Sequence, residues 1–543
     1  MGKNYWLALT LSMLLLLSYP YLLKKFQPQN SAPETVNGIA AGTPEVAAPE
    51  EPVAVEKTNL VLRKPDEPQL IHYENGQIDL DFSTIGGTVT RLVYKGERVP
   101  YEIGQHDFYE GDLTRSGLFA VTLMHDPVDL SQTVFEPKTE GLGEGVFEFL
   151  YEKPGDYRLT KRFSVLGNAP VVLLEVFVEN LSGRGKIVPV ELGFGLNYDP
   201  ADKAALPSVE AVAETEKIES APVGKIEKKG FSTGQEVIWA GAKLKYYSML
   251  IKPNLKAAGV SYQADAFSLT GKFRMAPAEL AAAGKTQWDF FIYAGPNRYE
   301  VLKSFDMGFE QILSKGFFGM LKIWFLIALK FFYRYTHNYG WAIILLTCLI
   351  KLVFTPLTHM SFQSMKKMQA IQPKMKSLQE RYKSDPQRLN KEMMELYKRN
   401  KVNPMGGCLP MLLQIPIFIA FYQVLADAIE LKGAGFLGWI HDLSAPDRLF
   451  TMPFSLPFIG DSFNLLPLLM IGSMVWQQKL TPQTGTTPEQ TKMMTFMPLI
   501  FGFMFYNMPS GLVLYWFLNN MLSIVHQLFV KRIVVTLHHE DAE

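Results

Sequence analysis

Cysteine is nearly absent from this 543-residue chain: there are two, Cys348 and Cys408, and none before position 348. That excludes a disulfide framework for the N-terminal half, whichever compartment holds it. Net charge is lacking as well, because 53 Lys and Arg balance 53 Asp and Glu. No global field then favours nucleic acid or an acidic substrate, and no specific DNA partner is expected. Histidines at ligand spacing are missing too. His72, His106 and His125 lie in separate segments, so they read as ordinary surface or core residues and no metal site is expected. Long apolar runs are absent from residues 58–300, yet they dominate 317–532. The chain is too long for one compact domain and divides at that change of composition.

The opening MGKNYWLALTLSMLLLLSYPYLLKKF has Lys3 and then an apolar run over about 5–23. A cleaved signal peptide would have a shorter run and a small-x-small site after it. SYPYLLKK offers none, and there is no cysteine for lipid attachment, so residues 1–26 are expected to be an uncleaved signal-anchor helix. Residues 27–57, rich in Pro, Ala and Glu with few large apolar side chains, are expected to be a disordered linker.

Over 58–305 the apolar period falls to two. NLVLRK, GQIDLDFS, GTVTRLVY, GVFEFLYEK, YRLTKRFSVL, PVVLLEVFVEN and EVIWAGAK are short strands bounded by turn residues, which argues for a β-sandwich. Residues 201–216 read as a helix or loop interrupting it. Asp79 and Asp81 alternate on one strand face, which points to solvent. No nucleophile–base pair stands out, so the domain reads as structural or interacting and not as an enzyme.

In 306–337, the segment FFGMLKIWFLIALKFFYRY is interrupted by Lys322, Lys330 and Arg334. The eight-residue spacing of the lysines suggests an amphipathic helix lying in the membrane interface. Residues 341–360 (WAIILLTCLIKLVFTPLTHM) are long enough to cross a core of about 30 Å. Lys351 sits well inside this run, at a cost of roughly 2.5–3.5 kcal/mol on insertion scales. Either it reaches out to the interface, or it faces something polar within the membrane.

Residues 363–410 carry eleven Lys and Arg against four Asp and Glu, a net of +7. Such a loop belongs in the cytoplasm. The helix before it then runs inward, so the sandwich is extracytoplasmic. Within 363–402, Met365, Met368, Met375, Leu378 and Tyr382 recur at helical spacing. Asp385-Pro386 opens a second helix striped by Leu389, Met393, Leu396 and Asn400. This is a helical hairpin with a basic surface that includes Lys366, Lys367, Lys374, Lys376, Arg381 and Lys383. It either only fixes topology, or docks an anionic partner such as lipid headgroups or ribosomal RNA.

Four further spans are expected at 408–431, 463–479, 493–508 and 512–530. Between the first two lies an acidic outer loop, 432–462, with Asp442, Asp447 and Asp461 against Lys432 and Arg448. That makes six spans with both termini inside and a short cytoplasmic tail at 533–543. Sixteen residues, as in 493–508, make only about 24 Å of helix, which should thin the surrounding bilayer. Methionines concentrate here: Met470, Met474, Met493, Met494, Met497, Met504, Met508 and Met521. They read as plain core or as a surface that adapts to many apolar clients.

The runs NPMGGCLPMLLQIPIFIAFYQVL, WIHDLSAPD, MTFMPLIFGFMFYNMPSGLVLYWFLNN and TPLTHMSFQSMKKMQ resemble the YidC family of membrane protein insertases, in order and at family spacing over about 340–532. The large sandwich behind a signal anchor further resembles the Gram-negative members. The resemblance implies a multi-domain protein of the bacterial inner membrane. It would have six transmembrane α-helices, five of them forming an insertase core at 338–532, plus a periplasmic all-β supersandwich like galactose mutarotase. It also implies an insertase and chaperone for nascent membrane proteins, working alone or with the Sec translocon and the ribosome. No cofactor and no nucleotide hydrolysis are implied. The family's hydrophilic groove would hold its cation at Lys351, five residues before Pro356, where arginine is usual; lysine keeps the charge without the planar fork. Thr347 matches a groove threonine, and Gln414 is a polar residue embedded in the third span. Ile415, Phe418, Tyr515 and Trp516 match client-contacting positions. The ribosome-binding basic tail of some members has no counterpart in VVTLHHEDAE. A secondary transporter would also carry an intramembrane lysine, but repeated halves with broken helices are not seen. A membrane-anchored enzyme would need the catalytic constellation that the sandwich lacks.

Overall fold

The structure is a computed structural model that describes residues 69–540, apart from 97–104, 112–116, 125, 139–141, 203–205, 315, 317, 384, 401, 403–408, 457–458 and 481–487. The expected signal anchor, the linker, the strand at 59–64 and His125 lie outside the described residues. The chain forms two compact units. One is Lys57–Gly316 together with Asp427–Lys432; the other is Phe317–Ala426 together with Gly433–Glu543.

The first unit is a β-sandwich of antiparallel sheets around one apolar core. Its largest sheet has nine strands, in the order Ile218–Pro222, Glu210–Glu214, Trp239–Lys243, Tyr247–Pro253, Lys285–Pro296, Val171–Asn180, Tyr157–Val165, Val146–Lys153 and Glu136–Lys138. Beside it lie a five-stranded sheet (with Val190–Asn197 paired to Ser268–Arg274), a four-stranded one (Leu70–Glu74, Ile78–Ser83, Thr88–Tyr94, His106–Glu110) and a two-stranded one (Lys186–Val188 with Ala278–Leu280). The period-two pattern does what the sequence predicts. In Tyr157–Val165 every second residue is buried, and Phe82 stacks on Phe147 at 4.7 Å and lies 5.2 Å from Phe163.

Two expectations for this unit need correction. The described part of 201–216 is not a helix, and its second half is not a loop. A 3-10 turn at Leu206–Ser208 leads into strand Glu210–Glu214, which pairs on both sides. Alanine and glutamate favour helix locally, but burial of Ala211 and Ala213 between two neighbouring strands wins. Asp79 and Asp81 do not simply face solvent. Strand pairing sets them beside His72 and Arg91, with Arg91 Nη1 2.6 Å from Asp79 and His72 Nδ1 2.7 Å from Asp81.

The second unit is helical: α1 (Gly319–Thr336), α2 (Tyr339–Ala370), α3 (Gln372–Arg381), α4 (Pro386–Arg399), α5 (Leu409–Asp427), α6 (Leu465–Leu480), α7 (Pro488–Met504) and α8 (Ser510–Glu540). The Asn338 side chain caps α2 by accepting from the Trp341 amide at 3.2 Å. The helix does not stop near Met360. It runs 32 residues to Ala370 and carries Pro356 inside it, about 48 Å at the usual rise. Thr347, Thr355 and Thr358 each donate to the carbonyl four residues back, which keeps hydroxyls satisfied in an apolar helix. The break expected at 363 falls instead at Ile371, just before Pro373.

Among the described residues two helices are long and apolar enough to cross a membrane, Tyr339–Ala370 and Ser510–Phe529. Helices α6 and α7 have 16 and 17 residues, and α7 is as short as the sequence leads one to expect. Helix α7 is offset from the expected 493–508, and α5 ends at Asp427 instead of 431. A two-stranded ribbon between α5 and α6, Phe450–Leu456 with Gly460–Phe463, is absent from the sequence-based picture.

Candidate functional site

Helix α2 presents Lys351 to α8. Its ammonium donates to Ser523 Oγ at 2.6 Å, to Asn519 Oδ1 at 3.2 Å and, more weakly, to the Asn519 carbonyl at 3.5 Å. Ser523 itself donates to the Asn519 carbonyl at 2.7 Å. Of the two sequence readings, then, Lys351 does not reach away along its helix; it is half-buried against a polar patch inside the bundle. That patch continues. Asn520 Nδ2 donates to Ser473 Oγ of α6 at 3.1 Å, and one turn further along α8 the His526 ring lies 6.0 Å from that of His359. Asn519, Asn520, Ser523, His526 and Gln527 recur every three or four residues in an apolar helix. They form one stripe on α8, and their spacing in an apolar run is itself visible in the sequence.

The other expected groove residues divide. Thr347 is only 1 % exposed, and its hydroxyl donates to Ile343 O at 2.6 Å. Its hydroxyl is thus satisfied within its own helix. Gln414 Nε2 donates to Tyr515 Oη at 2.6 Å. Tyr515 is buried and lies 4.5 Å, ring to ring, from Phe421, so it belongs to the bundle core. Phe418 and Trp516 meet edge to face at 4.9 Å and are half-buried. Ile415, 48 % exposed, is the client-contact candidate fully on the surface. In the expected hairpin, α3 and α4 close over Met368, Ile371, Met375 and Val402, with Met393, Leu396 and Tyr397 packed against them. Asp385 caps α4 by accepting from the Arg388 amide at 3.0 Å. Lys367, Lys374, Lys376, Arg381 and Lys383 are exposed, and Lys366 is half-buried.

The sandwich contains an intracore lysine that the sequence reading overlooked. Lys161 is fully buried, and its ammonium donates to the carbonyls of Gly86, Gly87 and Phe119. Burial pushes its pKa well below the ordinary lysine value, while three carbonyls match the three N–H bonds of the charged form. Because Y-L-K-F-V are the alternate residues of Tyr157–Val165, period two alone would have placed this lysine inward. His72, Asp79 and Asp81 are close enough to hold a cation, but Arg91 already pairs with Asp79 at 2.6 Å and lies 3.9 Å from Asp81.

A family model described as 60Kd inner membrane protein matches residues 331–537. The membrane protein insertase YidC of Syntrophus aciditrophicus is 33% identical over 564 residues, covering 98% of this chain and 100% of the relative. The chain belongs to the YidC family of membrane protein insertases. A YidC of Pelobacter propionicus is 51% identical over 243 residues, 45% of this chain and 44% of that relative. A crystal structure of an active YidC insertase with its first transmembrane domain resolved superposes with a TM-score of 0.37 at 19% identity, over 87% of this chain and 94% of that one; a fit that loose adds nothing to the assignment. Membership in the YidC family makes this an inner-membrane protein and an insertase, not an enzyme.

Proposed function

We propose that the helical unit inserts nascent membrane proteins into the inner membrane through a polar groove whose cation is Lys351. The observation that carries this reading is the one above: a lysine in an apolar helix, held by Asn519 and Ser523 across the bundle. A charge at that depth is costly unless function requires it. Asn519 and Ser523 satisfy it with rotatable side chains, which a client's polar or acidic groups can replace.

In this reading the protein has six spans with both termini in the cytoplasm, and its sandwich, a periplasmic supersandwich, is extracytoplasmic. Five of the spans form the core. A client's hydrophilic end enters from the cytoplasm, where Lys351 and water lower its desolvation cost. Its apolar helix then slides past Ile415, Phe418 and Trp516 into bilayer thinned by the short helices α6 and α7. Burial of that helix supplies most of the driving force. The membrane potential adds about 2.3 kcal/mol per acidic charge moved outward per 100 mV. The exposed lysines and arginines of α3 and α4 suit an anionic partner, the ribosome or lipid headgroups. A chaperone role and cooperation with the Sec translocon belong to the same reading.

The test is insertion of a client with an acidic translocated tail into proteoliposomes carrying the full chain, scored by protease protection. Lys351→Glu should abolish it and Lys351→Arg should retain it. Equal insertion by Lys351→Glu and the parent would overturn the electrostatic step. Crosslinks from position 415 or 418 to a ribosome-bound nascent chain test the path.

A further inference from the structure

The ribbon formed by Phe450–Leu456 and Gly460–Phe463 has a rigid root and an unsupported apolar body. At the root, Asp447 Oδ2 accepts from the Trp439 indole and from the Leu466 amide, each at 2.8 Å. Asn464 accepts from the Arg448 amide at 3.1 Å and donates to the Tyr506 carbonyl at 2.7 Å. The Tyr506 hydroxyl donates in turn to Ser462 O at 3.1 Å. Asp447, Asn464 and Tyr506 are all buried, so the direction in which the ribbon leaves the bundle is fixed. Beyond the root the polar contacts give way to apolar side chains: Phe450 and Phe463 stack at 4.8 Å, while Phe450 is 53 % exposed and Phe454 59 %.

An isolated two-stranded ribbon is marginally stable in water, and exposed aromatics on it incur a further hydration cost. The sequence identifies a medium in which neither cost applies. Between Arg448 and Asp461 stand twelve residues, LFTMPFSLPFIG, without a single charge. The strand returns through Asn464 directly into α6, whose Leu468 and Leu469 are also exposed and apolar. The ribbon thus continues an apolar surface that begins on a helix read above as a span, and the inference rests on that reading. Phenylalanines in an uncharged run bounded by Arg448 and Asp461 suit burial at the headgroup–acyl boundary, with the two charges left among the headgroups.

We propose that this ribbon is a lipid anchor: its apolar body, Phe454 included, inserts into the headgroup–acyl boundary of the outer leaflet beside α6. Because the root is rigid, the anchor holds the outer end of α6 at a fixed depth, which matters for a helix of 16 residues in a core of about 30 Å.

Single cysteines placed by Phe454→Cys, Asp461→Cys and Leu468→Cys in the full chain, with Cys348 and Cys408 replaced by Ser, allow depth to be read in proteoliposomes. Each carries an environment-sensitive fluorophore, quenched either by brominated lipid or by aqueous iodide. The expected result is brominated-lipid quenching at position 454 within about twofold of that at 468 and severalfold above that at 461. Iodide quenching at 454 equal to that at 461, with 468 still lipid-quenched, overturns the anchor and leaves the span reading intact. Shielding of 454 from both quenchers also overturns it, because protein and not lipid would then cover the ribbon. If 468 itself is reached by iodide, it is the span reading that fails.

Discussion

Lys161 of the sandwich is fully buried and Lys351 of the helical unit half-buried, and the two are held in opposite ways. Lys161 of the sandwich donates to three backbone carbonyls, two of them in a turn where Gly86 and Gly87 have φ of 67° and 52°. A Cβ on Gly87 would lie 2.8 Å from that of Phe149, so a side chain at that turn position would force a shift. Lys351 of the helical unit is held mainly by the side chains of Asn519 and Ser523, which can rotate away. Backbone acceptors fixed by the fold make a buried charge part of the structure. Side-chain acceptors at a half-buried position leave it able to exchange partners. The first arrangement specifies a sheet crossing and the second suits a binding groove.

The sharpest way to break this contrast is to delete each charge and measure stability. Lys161→Ala strands three carbonyls in the sandwich core and leaves a cavity, so it should cost about 3–5 kcal/mol. Lys161→Met, which restores volume but no donor, should recover only part of that. Guanidinium unfolding of the full chain in detergent measures both. A loss below about 1 kcal/mol for Lys161→Ala would mean that the carbonyls find water and that the lysine is dispensable.

Acid tests the buried groups of the sandwich next. His106 of the sandwich stacks on Tyr247 at 4.3 Å. Burial, helped by nearby Lys432, pushes its pKa down to about 4. A histidine depressed in the folded state stabilises above its unfolded pKa, and that stability is lost as pH falls from about 6.5 to about 4, by an amount on the order of 3 kcal/mol. His72 behaves oppositely. Its hydrogen bond to Asp81 raises its pKa, so its contribution is complete below pH 6.5 and is lost on going alkaline; its exposure keeps it small. Melting temperature against pH should fall on the acid side, and His106→Phe, which keeps the stack, should flatten that fall.

Lys351→Ala should reverse the pattern set by Lys161, with little loss of stability and at least a tenfold loss of client insertion, equivalent to about 1.4 kcal/mol. If unfolding and insertion fall together, Lys351 is structural after all.

How far the sequence carried differs between the units for a physical reason. Strands such as Tyr157–Val165 and Val171–Asn180 were legible because one face is wet and one dry, and the alternation survives in the text of the chain. In Glu210–Glu214, Ala and Glu read as helix, and only pairing to residues that follow it in the chain decides otherwise. Lys351 was legible as a charge in an apolar run, but its partners lie 168 and 172 positions away, beyond any local pattern. The sequence reads 427–431 as the end of a span and Lys432 as the start of a loop. Instead Ile429 joins the sandwich core, and the Lys432 ammonium sits 5.4 and 5.2 Å from the rings of Tyr246 and Tyr247. A single core position filled from so distant a stretch leaves no periodic trace.

The smallest effect is the one that tests whether Lys351's partners are exchangeable. Ser523→Ala removes the shortest of its contacts, 2.6 Å, and leaves Asn519 in place. If the ammonium must let go of Ser523 before it meets a client, the serine stabilises the resting state more than the loaded one. Its removal then costs about 0.5–1 kcal/mol of stability and leaves insertion within about threefold of the parent. If the serine instead positions the ammonium for the client, insertion falls with it, as for Lys351→Ala. Adding Asn519→Ala decides between the two. Under the exchangeable reading the double variant loses further stability and still inserts, because water and the client replace both groups; under the positioning reading it inserts no better than Lys351→Ala.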